Sequence, residues 1–564
     1  MKVIIVGGVA GGASAAARLR RLDESAQIIM LERSGYVSYA NCGLPYYIGG
    51  TIKEQRSLTL QTPASFAARF NVEARVQHEV LAIDRESKTV TVRDLTNGQE
   101  YTENYDKLIL APGARPVVPP LPGVDSSKIY TLRTVEDTLR LREAVLNKQI
   151  KSVAVVGAGF VGVEMAENLQ ELGLEVSLIQ REEHILPPLD KDMASFLHAH
   201  MRAQGVKLLL NQNVTAFAET AAGIDVLLQD QPAVSVDMVV LAVGVAPETD
   251  LARAAGLQLG VKGSIMVNEH MQTSDADIYA VGDAVSVTSS VSGEKALIAL
   301  AGPANKQGRI AADNIAGLDS CYQGSPATAV LKVFKMTAAF TGLNERAARA
   351  AGLDYEKIIL APASHASYYP GGNLMTIKLL FARDSQKIIG AQIVGFDGVD
   401  KRLDVLATAM QAGLTVLALK DIDLAYAPPY SSAKDPVNMA GFIAENVVTG
   451  KVRQFFYEDL VALPQDGSIT MLDARTPAEY AQGHAEGFDI NIPVDELRGR
   501  LHELDKSKPV YVMCRTGLRS YIACRQLMQA GFECYNFAGG YLYYASVHDE
   551  FFDSGCTTEC GRKA

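Results

Sequence analysis

The sequence predicts an α/β protein of several domains, and three observations carry that reading. A strand, a glycine-rich turn and a helix occur together twice, at K-V-I-I-V-G-G-V-A-G-G-A (2–13) and K-S-V-A-V-V-G-A-G-F-V-G (151–162). Buried strands that run into Gly/Pro turns lie between and after these units, at 105–116 and 237–247. Beyond residue 450 the pattern changes, and a further α/β unit begins near Arg453. At 564 residues the chain is too long for a single core.

The composition, 48% hydrophobic and 21% charged, is that of a globular protein. A net charge of −11 without a basic stripe gives no electrostatic basis for binding nucleic acid. No apolar run approaches the ~18–20 residues that span a bilayer. The first residues enter a strand directly, so no signal peptide and no membrane association are expected. The seven cysteines, at 42, 321, 514, 524, 534, 556 and 560, are odd in number and irregularly spaced. They do not form a disulfide framework, and reduced thiols in the cytoplasm are the expectation.

In the first unit the helix N-terminus would face a pyrophosphate, where free N–H groups and the helix dipole favour negative charge. Gly7, Gly8 and Gly12 build the turn, although Val9 stands where the G-x-G-x-x-G pattern has its middle glycine. Glu32 ends the next strand, where a carboxylate can accept ribose hydroxyls. The second unit fits without exception through Gly157, Gly159 and Gly162. Its following strand ends on Gln180 and Arg181 rather than on an acid, while Glu182 and Glu183 disfavour a 2′-phosphate; NADH is expected over NADPH. Two such units predict two Rossmann-like domains, one for a flavin and one for a nicotinamide.

Next come the turns at Gly113 and Gly244, and then T-S-D-A-D-I-Y-A-V-G-D-A, ending on Asp283 and Ala284. The four pieces in this order resemble the pyridine nucleotide–disulfide oxidoreductase superfamily over about residues 1–450. The resemblance implies FAD held at Gly7, Gly8, Gly12, Glu32, Gly113 and Asp283, and NAD(P)H held at Gly157, Gly159, Gly162, Gln180 and Gly244. It divides the chain into a first FAD segment (1–112), an NAD(P)H domain (113–246), a second FAD segment (247–322) and an α+β dimer-interface domain (323–450). A homodimer with shared active sites follows from the same resemblance.

Disulfide reductases of this superfamily carry C-x4-C after the first unit, but S-Y-A-N-C-G-L-P-Y-Y-I-G-G offers Cys42 and then Tyr47. A lone cysteine there resembles either NADH oxidases and peroxidases, which cycle a sulfenic acid, or coenzyme A disulfide reductases, which hold CoA in a mixed disulfide. In both, the Cys42 thiolate is the nucleophile. Three features favour the CoA branch. Arg18 and Arg21, three apart on one helix face, could grip a phosphorylated nucleotide. The Cys42 segment resembles that family's active-site stretch, implying Ser38 and Asn41 beside the pantetheine arm. Finally, H-A-S-Y-Y-P-G-G (365–372) and Y-A-P-P-Y-S-S-A-K-D-P (426–436) resemble its tyrosine-bearing segments. No histidine lies between His365 and His484, so Tyr368 and Tyr426 are expected to replace the usual acid/base, acting from the partner subunit. Asn305 and Lys434 are further implied contacts.

In the last unit, I-T-M-L-D-A-R-T-P-A-E-Y-A-Q-G-H and P-V-Y-V-M-C-R-T-G-L-R-S resemble a rhodanese domain, expected over 455–564. The loop Cys514, Arg515, Thr516, Gly517, Leu518, Arg519 opens a helix. Its inward N–H groups and the two arginines would stabilise a persulfide anion. The C-x4-R spacing is one residue shorter than a phosphatase loop and suits sulfur better than phosphate. Asp473 and Arg475 are expected to pair structurally. Cys556 and Cys560 supply too few ligands for zinc, and no metal site is expected.

The sequence thus points to FAD-dependent reduction of persulfides or polysulfides by NAD(P)H, CoA persulfide above all, with Cys514 handling sulfane sulfur. Its rivals are a CoA disulfide reductase, an NADH peroxidase or oxidase, and a non-reductive sulfur carrier.

Overall fold

The computed structural model describes residues 1–552, except the side chains of Phe551 and Phe552. Cys556 and Cys560 lie outside the described residues. The chain forms two compact units, Met1–Glu182 with Leu209–Ala327, and Glu183–Leu208 with Thr328 onward.

In the first unit, strands Ile278–Ala280, Lys107–Leu110, Lys2–Val6, Gln27–Glu32 and Glu73–Val76 lie side by side in that order, all parallel. Val3, Ile4, Ile5, Ile29 and Ile109 are fully buried. This is why the strands read as unbroken apolar runs: both faces of a parallel sheet are covered. Strand Ile278–Ala280 extends the sheet begun by the first residues of the chain. Helix Ala10–Leu22 packs on helix Ala301–Ile315 so closely that a Cβ on Gly308 would lie 2.3 Å from the Gly11 carbonyl oxygen. A second parallel sheet contains Ile129–Thr131, Met238–Leu241, Ser152–Val156 and Glu175–Ile179.

The second unit holds a five-stranded antiparallel sheet, in the order Ala329–Val333, Met336–Gly342, Ile388–Gly395, Met375–Ala382, Tyr355–Leu360. Helices Val399–Gln411 and Pro436–Val448 pack on it around Leu403, Leu406, Val437 and Ala440. A five-stranded parallel sheet follows, ordered Gln454–Phe455, Cys534–Phe537, Val510–Met513, Thr470–Asp473, Ile490–Asn491.

Helix Lys191–Ala203 lies within the 113–246 span of the sequence reading, yet its polar groups are satisfied in the second unit. Asp192 accepts from Tyr543 Oη (2.6 Å) and pairs with the fully buried Lys378 (2.8 Å). Lys378 also meets Asp190 (2.9 Å) and Glu345 (2.5 Å). Further along, Ser195 bonds Ser546, and Arg202 and His198 both meet Glu550. Polar pairs on a buried face fix the helix where each charge is compensated.

Candidate active sites

The two glycine turns are built alike. Gly7 and Gly157 have φ of +98° and +100°, and each donates its N–H to the neighbouring strand, at Leu31 and Ile179. A Cβ on Gly12 or Gly162 would fall 1.9 or 1.8 Å from the Gly7 or Gly157 carbonyl oxygen, so only glycine lets helix and turn approach. Glu32 accepts from Gly8 N–H (2.8 Å) and from Ser34 N–H (2.9 Å). Gln180 does the same work in the second turn, accepting from Ala158 N–H at 3.3 Å. Neither helix, Ala10–Leu22 or Phe160–Glu171, has a side-chain cap or an acid in its first turn. A Cβ on Gly159 would meet nothing within 4 Å. Both turns therefore fit a pyrophosphate, since their N-termini have no competing anion.

Cys42 sits on a short turn, Asn41–Gly43, that leads into helix Leu44–Ile48. Ser38 adopts φ +48° and donates its N–H to the Gly8 carbonyl at 2.7 Å, tying the segment to the first glycine turn. Buried Tyr39, Leu44, Tyr47, Leu58 and Val135 anchor it from below. Arg142 stacks on Tyr47 (4.5 Å) and donates to the Tyr47 and Ile48 carbonyls. The apolar side chains face inward and leave Cys42 exposed.

Around that thiol the structure gathers three residues that sequence reasoning missed. Asn41, with its amide oriented to satisfy both ends, donates to the Arg133 carbonyl (3.1 Å) and accepts from its guanidinium (2.5 Å). Arg133 also pairs with Asp283 at 3.4 Å. Tyr46, one helical turn beyond Cys42, bonds Glu164 at 3.4 Å. Although Cys42 is open to solvent, the surrounding protein desolvates it and raises its pKa; Glu164 and Asp283 add to the rise, and Arg133 opposes it. Burial lifts Glu164 to about 7, with Glu167 contributing and the Tyr46 hydroxyl opposing. Burial also raises Asp283, against the pull of Arg133. The only local hint of Arg133 was its position before the helix cap formed by Thr134 and Asp137; Glu164 lay hidden in the second glycine motif.

In the second unit, Tyr368 and Tyr426 meet hydroxyl to hydroxyl at 2.5 Å, and both are exposed. Their hydrogen bond raises the Tyr426 pKa. Arg402, fully buried, brings their segments together by bonding Ser364 O (2.9 Å), Tyr430 O (3.2 Å), Ser431 Oγ (3.1 Å) and Asp435 Oδ2 (3.0 Å). A cavity of about 480 Å³, bordered by Tyr426, Tyr430, His365 and Lys401, adjoins the pair.

Cys514 is buried at the start of helix Leu518–Gln529. Its sulfur accepts from Gly517 N–H (3.1 Å) and from Ser520 Oγ (3.2 Å). Gly517 has φ +95°, which lets the loop turn inward at that point. Thr516 N lies 2.6 Å from where a Cβ on Gly540 would stand, so the loop is packed tightly from behind. Leu518 is exposed. Arg519, expected to lend charge to the sulfur, grips Glu479 with two bonds of 2.7 Å and also interacts electrostatically with Cys514. That pairing holds Glu479 down at about 2. Ser520, one residue beyond the predicted loop, supplies the second donor. Arg475 pairs with Asp473 in the interior (2.6 Å) and also stacks on Tyr541 at 4.1 Å. Arg475 and Arg515 border a cleft of about 490 Å³ together with Glu479, His484, Tyr541 and Tyr544.

The remaining expected CoA contacts are spread over both units. Arg18 is held by Asp313 (2.6 Å) and Arg21 is exposed. Asn305 accepts from Ser14 Oγ at 2.5 Å across the same helix pair. Lys434 is exposed in the second unit, next to the Arg402-bound Asp435. Gly113 crowds Arg133, to within 2.5 Å of a Cβ placed there, and Gly244 (φ +122°) faces open space.

Two pyrophosphate-ready turns, with an exposed thiol held against the first of them, mark a dinucleotide-dependent oxidoreductase that also carries a cysteine loop leading into a helix N-terminus. The family model of the pyridine nucleotide-disulphide oxidoreductases matches residues 1–308, that of their dimerisation domain 328–436, and the rhodanese-like domain 457–546. The chain belongs to the pyridine nucleotide-disulphide oxidoreductase family, whose members use FAD and NAD(P)H, and carries a C-terminal rhodanese-like domain. It is 34% identical over 447 residues to the coenzyme A disulfide reductase of Staphylococcus haemolyticus, covering 79% of this chain and 100% of that one. Reduced Bacillus anthracis CoADR-RHD is similar in structure, with a TM-score of 0.95, 48% identity and coverage of 97% and 98% of the two chains. An NAD-dependent persulfide reductase from A. fulgidus gives a TM-score of 0.91 at 38% identity, covering 96% and 100%. Among the described residues no helix is long and apolar enough to cross a membrane.

Proposed function

We propose that this protein uses NAD(P)H, preferentially NADH, to reduce persulfides and polysulfides, CoA persulfide foremost, and releases sulfide. The observation that carries this reading is the exposed Cys42 thiol with no second cysteine in its motif: the other sulfur has to come from the substrate. The Cys42 thiolate attacks the CoA-bound sulfur of CoA–S–SH. This forms Cys42–S–S–CoA and expels the terminal sulfur as hydrosulfide. The Gly7–Gly12 turn, Glu32, Gly113 and Asp283 would hold FAD and the Gly157–Gly162 turn NAD(P)H; bound there, the two cofactors would supply the two electrons that reduction of the mixed disulfide needs.

Arg133 favours the Cys42 thiolate. Ser38 and Asn41 line the pantetheine arm, while Arg18, Arg21, Asn305 and Lys434 hold the nucleotide end of CoA. The Tyr368–Tyr426 pair, contributed by the partner subunit of a homodimer, donates a hydrogen bond to the departing CoA sulfur. Cys514, cradled by Gly517 N–H and Ser520, takes sulfane sulfur from a donor as a persulfide and passes it on to CoA. The setting is the cytoplasm.

The test is anaerobic NADH oxidation by the full chain, comparing kcat/KM for CoA persulfide and CoA disulfide with sulfide measured. Preference for the persulfide with stoichiometric sulfide, lost in Cys42→Ser, is expected. Full sulfide release by Cys42→Ser overturns the mechanism. A preference for CoA disulfide selects the second reading, thiol-pool maintenance, which the coenzyme A disulfide reductase relative favours.

A further inference from the structure

We propose that His270, Asp319 and Cys321 form a divalent-metal site suited to Zn²⁺, separate from the thiol chemistry at Cys42 and Cys514. Their donor atoms all lie within 4.8 Å of one another. His270 Nδ1 stands 3.8 Å from Cys321 Sγ and 3.6 Å from Asp319 Oδ1. In a tetrahedral zinc site with ordinary bond lengths, nitrogen and sulfur ligands stand about 3.6 Å apart, and nitrogen and oxygen about 3.3 Å. The two spacings from His270 exceed these by only a few tenths of an ångström. The Cys321 sulfur and Asp319 carboxylate lie within 4.8 Å of each other, so side-chain rotation of exposed Asp319 and Cys321 brings the donors to one ion.

The donor set is selective. Thiolate, imidazole and carboxylate together suit zinc, whereas Mg²⁺ and Ca²⁺ take all-oxygen cages. One thiolate and one carboxylate also balance the two charges of the ion. Three protein ligands leave the fourth position to water.

The two loops that carry the donors are held together before any metal binds. Asn314, on helix Ala301–Ile315, donates to Ser320 O (2.8 Å) and to His270 O (3.4 Å). Asn268 Oδ1 accepts from His270 N–H at 3.0 Å. His270 Nδ1 lies 3.2 Å from Ser320 O, a bond that gives way when the nitrogen takes the metal. His270 Nε2 faces Glu269 at 3.8 Å, an outer carboxylate of the kind that orients ligating imidazoles. Sequence reading foresaw no metal because the histidine and the cysteine are 51 residues apart. On binding, the Cys321 S–H bond breaks, its proton leaves to solvent, and a Zn–S bond forms without change of oxidation state. The consequence for the protein is that an exposed thiol is masked.

Residue-resolved alkylation of Cys321 in the full chain, with and without Zn²⁺, tests this. One equivalent of Zn²⁺ is expected to slow Cys321 alkylation by at least about tenfold, the scale on which metal-site perturbations act. His270→Gln and Asp319→Asn are expected to react at the metal-free rate even with Zn²⁺ present. Cys321→Ser is expected to bind one Zn²⁺ fewer per chain by equilibrium dialysis, with NADH-dependent turnover unchanged. An alkylation rate indifferent to Zn²⁺, protection that persists in His270→Gln, or undiminished Zn²⁺ binding by Cys321→Ser overturns the site.

Discussion

Arg133 and Asp283 face each other guanidinium to carboxylate at 3.4 Å, and the same guanidinium bonds the Asn41 amide next to Cys42. One cation thereby joins the thiol segment to the acid expected at the flavin ribityl chain. Arg133→Met removes the group that opposes the rise in the Cys42 pKa. The pH profile of Cys42 alkylation is expected to move to higher pH, with kcat/KM at pH 7 reduced about tenfold, equivalent to one pK unit. An unmoved profile would show that Arg133 only organises the loop.

Glu164 titrates at about 7 and its charge disfavours the Cys42 thiolate. Below pH 7 it is mostly neutral and the thiol ionises more easily; above pH 7 it is mostly charged and holds ionisation back. Thiolate reactivity is therefore expected to rise with pH less steeply than a single ionisation. Glu164→Gln should restore a simple titration curve with a lower midpoint, read by the same alkylation assay.

Ser520 gives the Cys514 sulfur one of its two hydrogen bonds. Ser520→Ala forfeits about 1 kcal/mol of persulfide stabilisation. Mass spectrometry of Cys514 persulfide at equilibrium with a sulfur donor is expected to show roughly fivefold less, while Cys42-dependent NADH oxidation with CoA disulfide stays unchanged.

The Tyr368–Tyr426 pair is exposed and preformed. Tyr426→Phe is expected to lower kcat by about 10²-fold, the lower range for a positioned proton donor, with little effect on KM for CoA substrates. An equal loss in KM alone would make the pair a binding element.

Acid should loosen the second unit. Glu550 is buried, which alone would raise its pKa, but the bonds from His198 and Arg202 hold it down at about 2. A depressed carboxylate contributes stability that is complete above its unfolded value near 4.5 and disappears as pH falls towards 2. Glu550→Gln is expected to flatten the acid-unfolding curve over that range. Lys378→Met, which strands Asp190, Asp192 and Glu345 without their cation, should cost about 3–5 kcal/mol in urea unfolding.

The sequence by itself determined the two glycine turns, the lone Cys42 and the Cys514 loop. Each is a local pattern whose chemistry depends on neighbours within one strand, turn and helix. Apolar runs marked the parallel strands for the same reason, because burial on both faces is written residue by residue. Only the tertiary structure decided which charges face which sulfur. Arg133 and Glu164, from separate segments, act on Cys42 through space, Ser520 bonds the Cys514 sulfur from the following helix, and Arg519 divides its charge between Glu479 and Cys514. Arg402 joins two tyrosine segments about sixty residues apart by bonding backbone carbonyls of both together with the Ser431 hydroxyl and the Asp435 carboxylate, a set of partners with no joint sequence signature. Local propensity fixes the elements, but electrostatics acts through space, and distance through space is set by the fold.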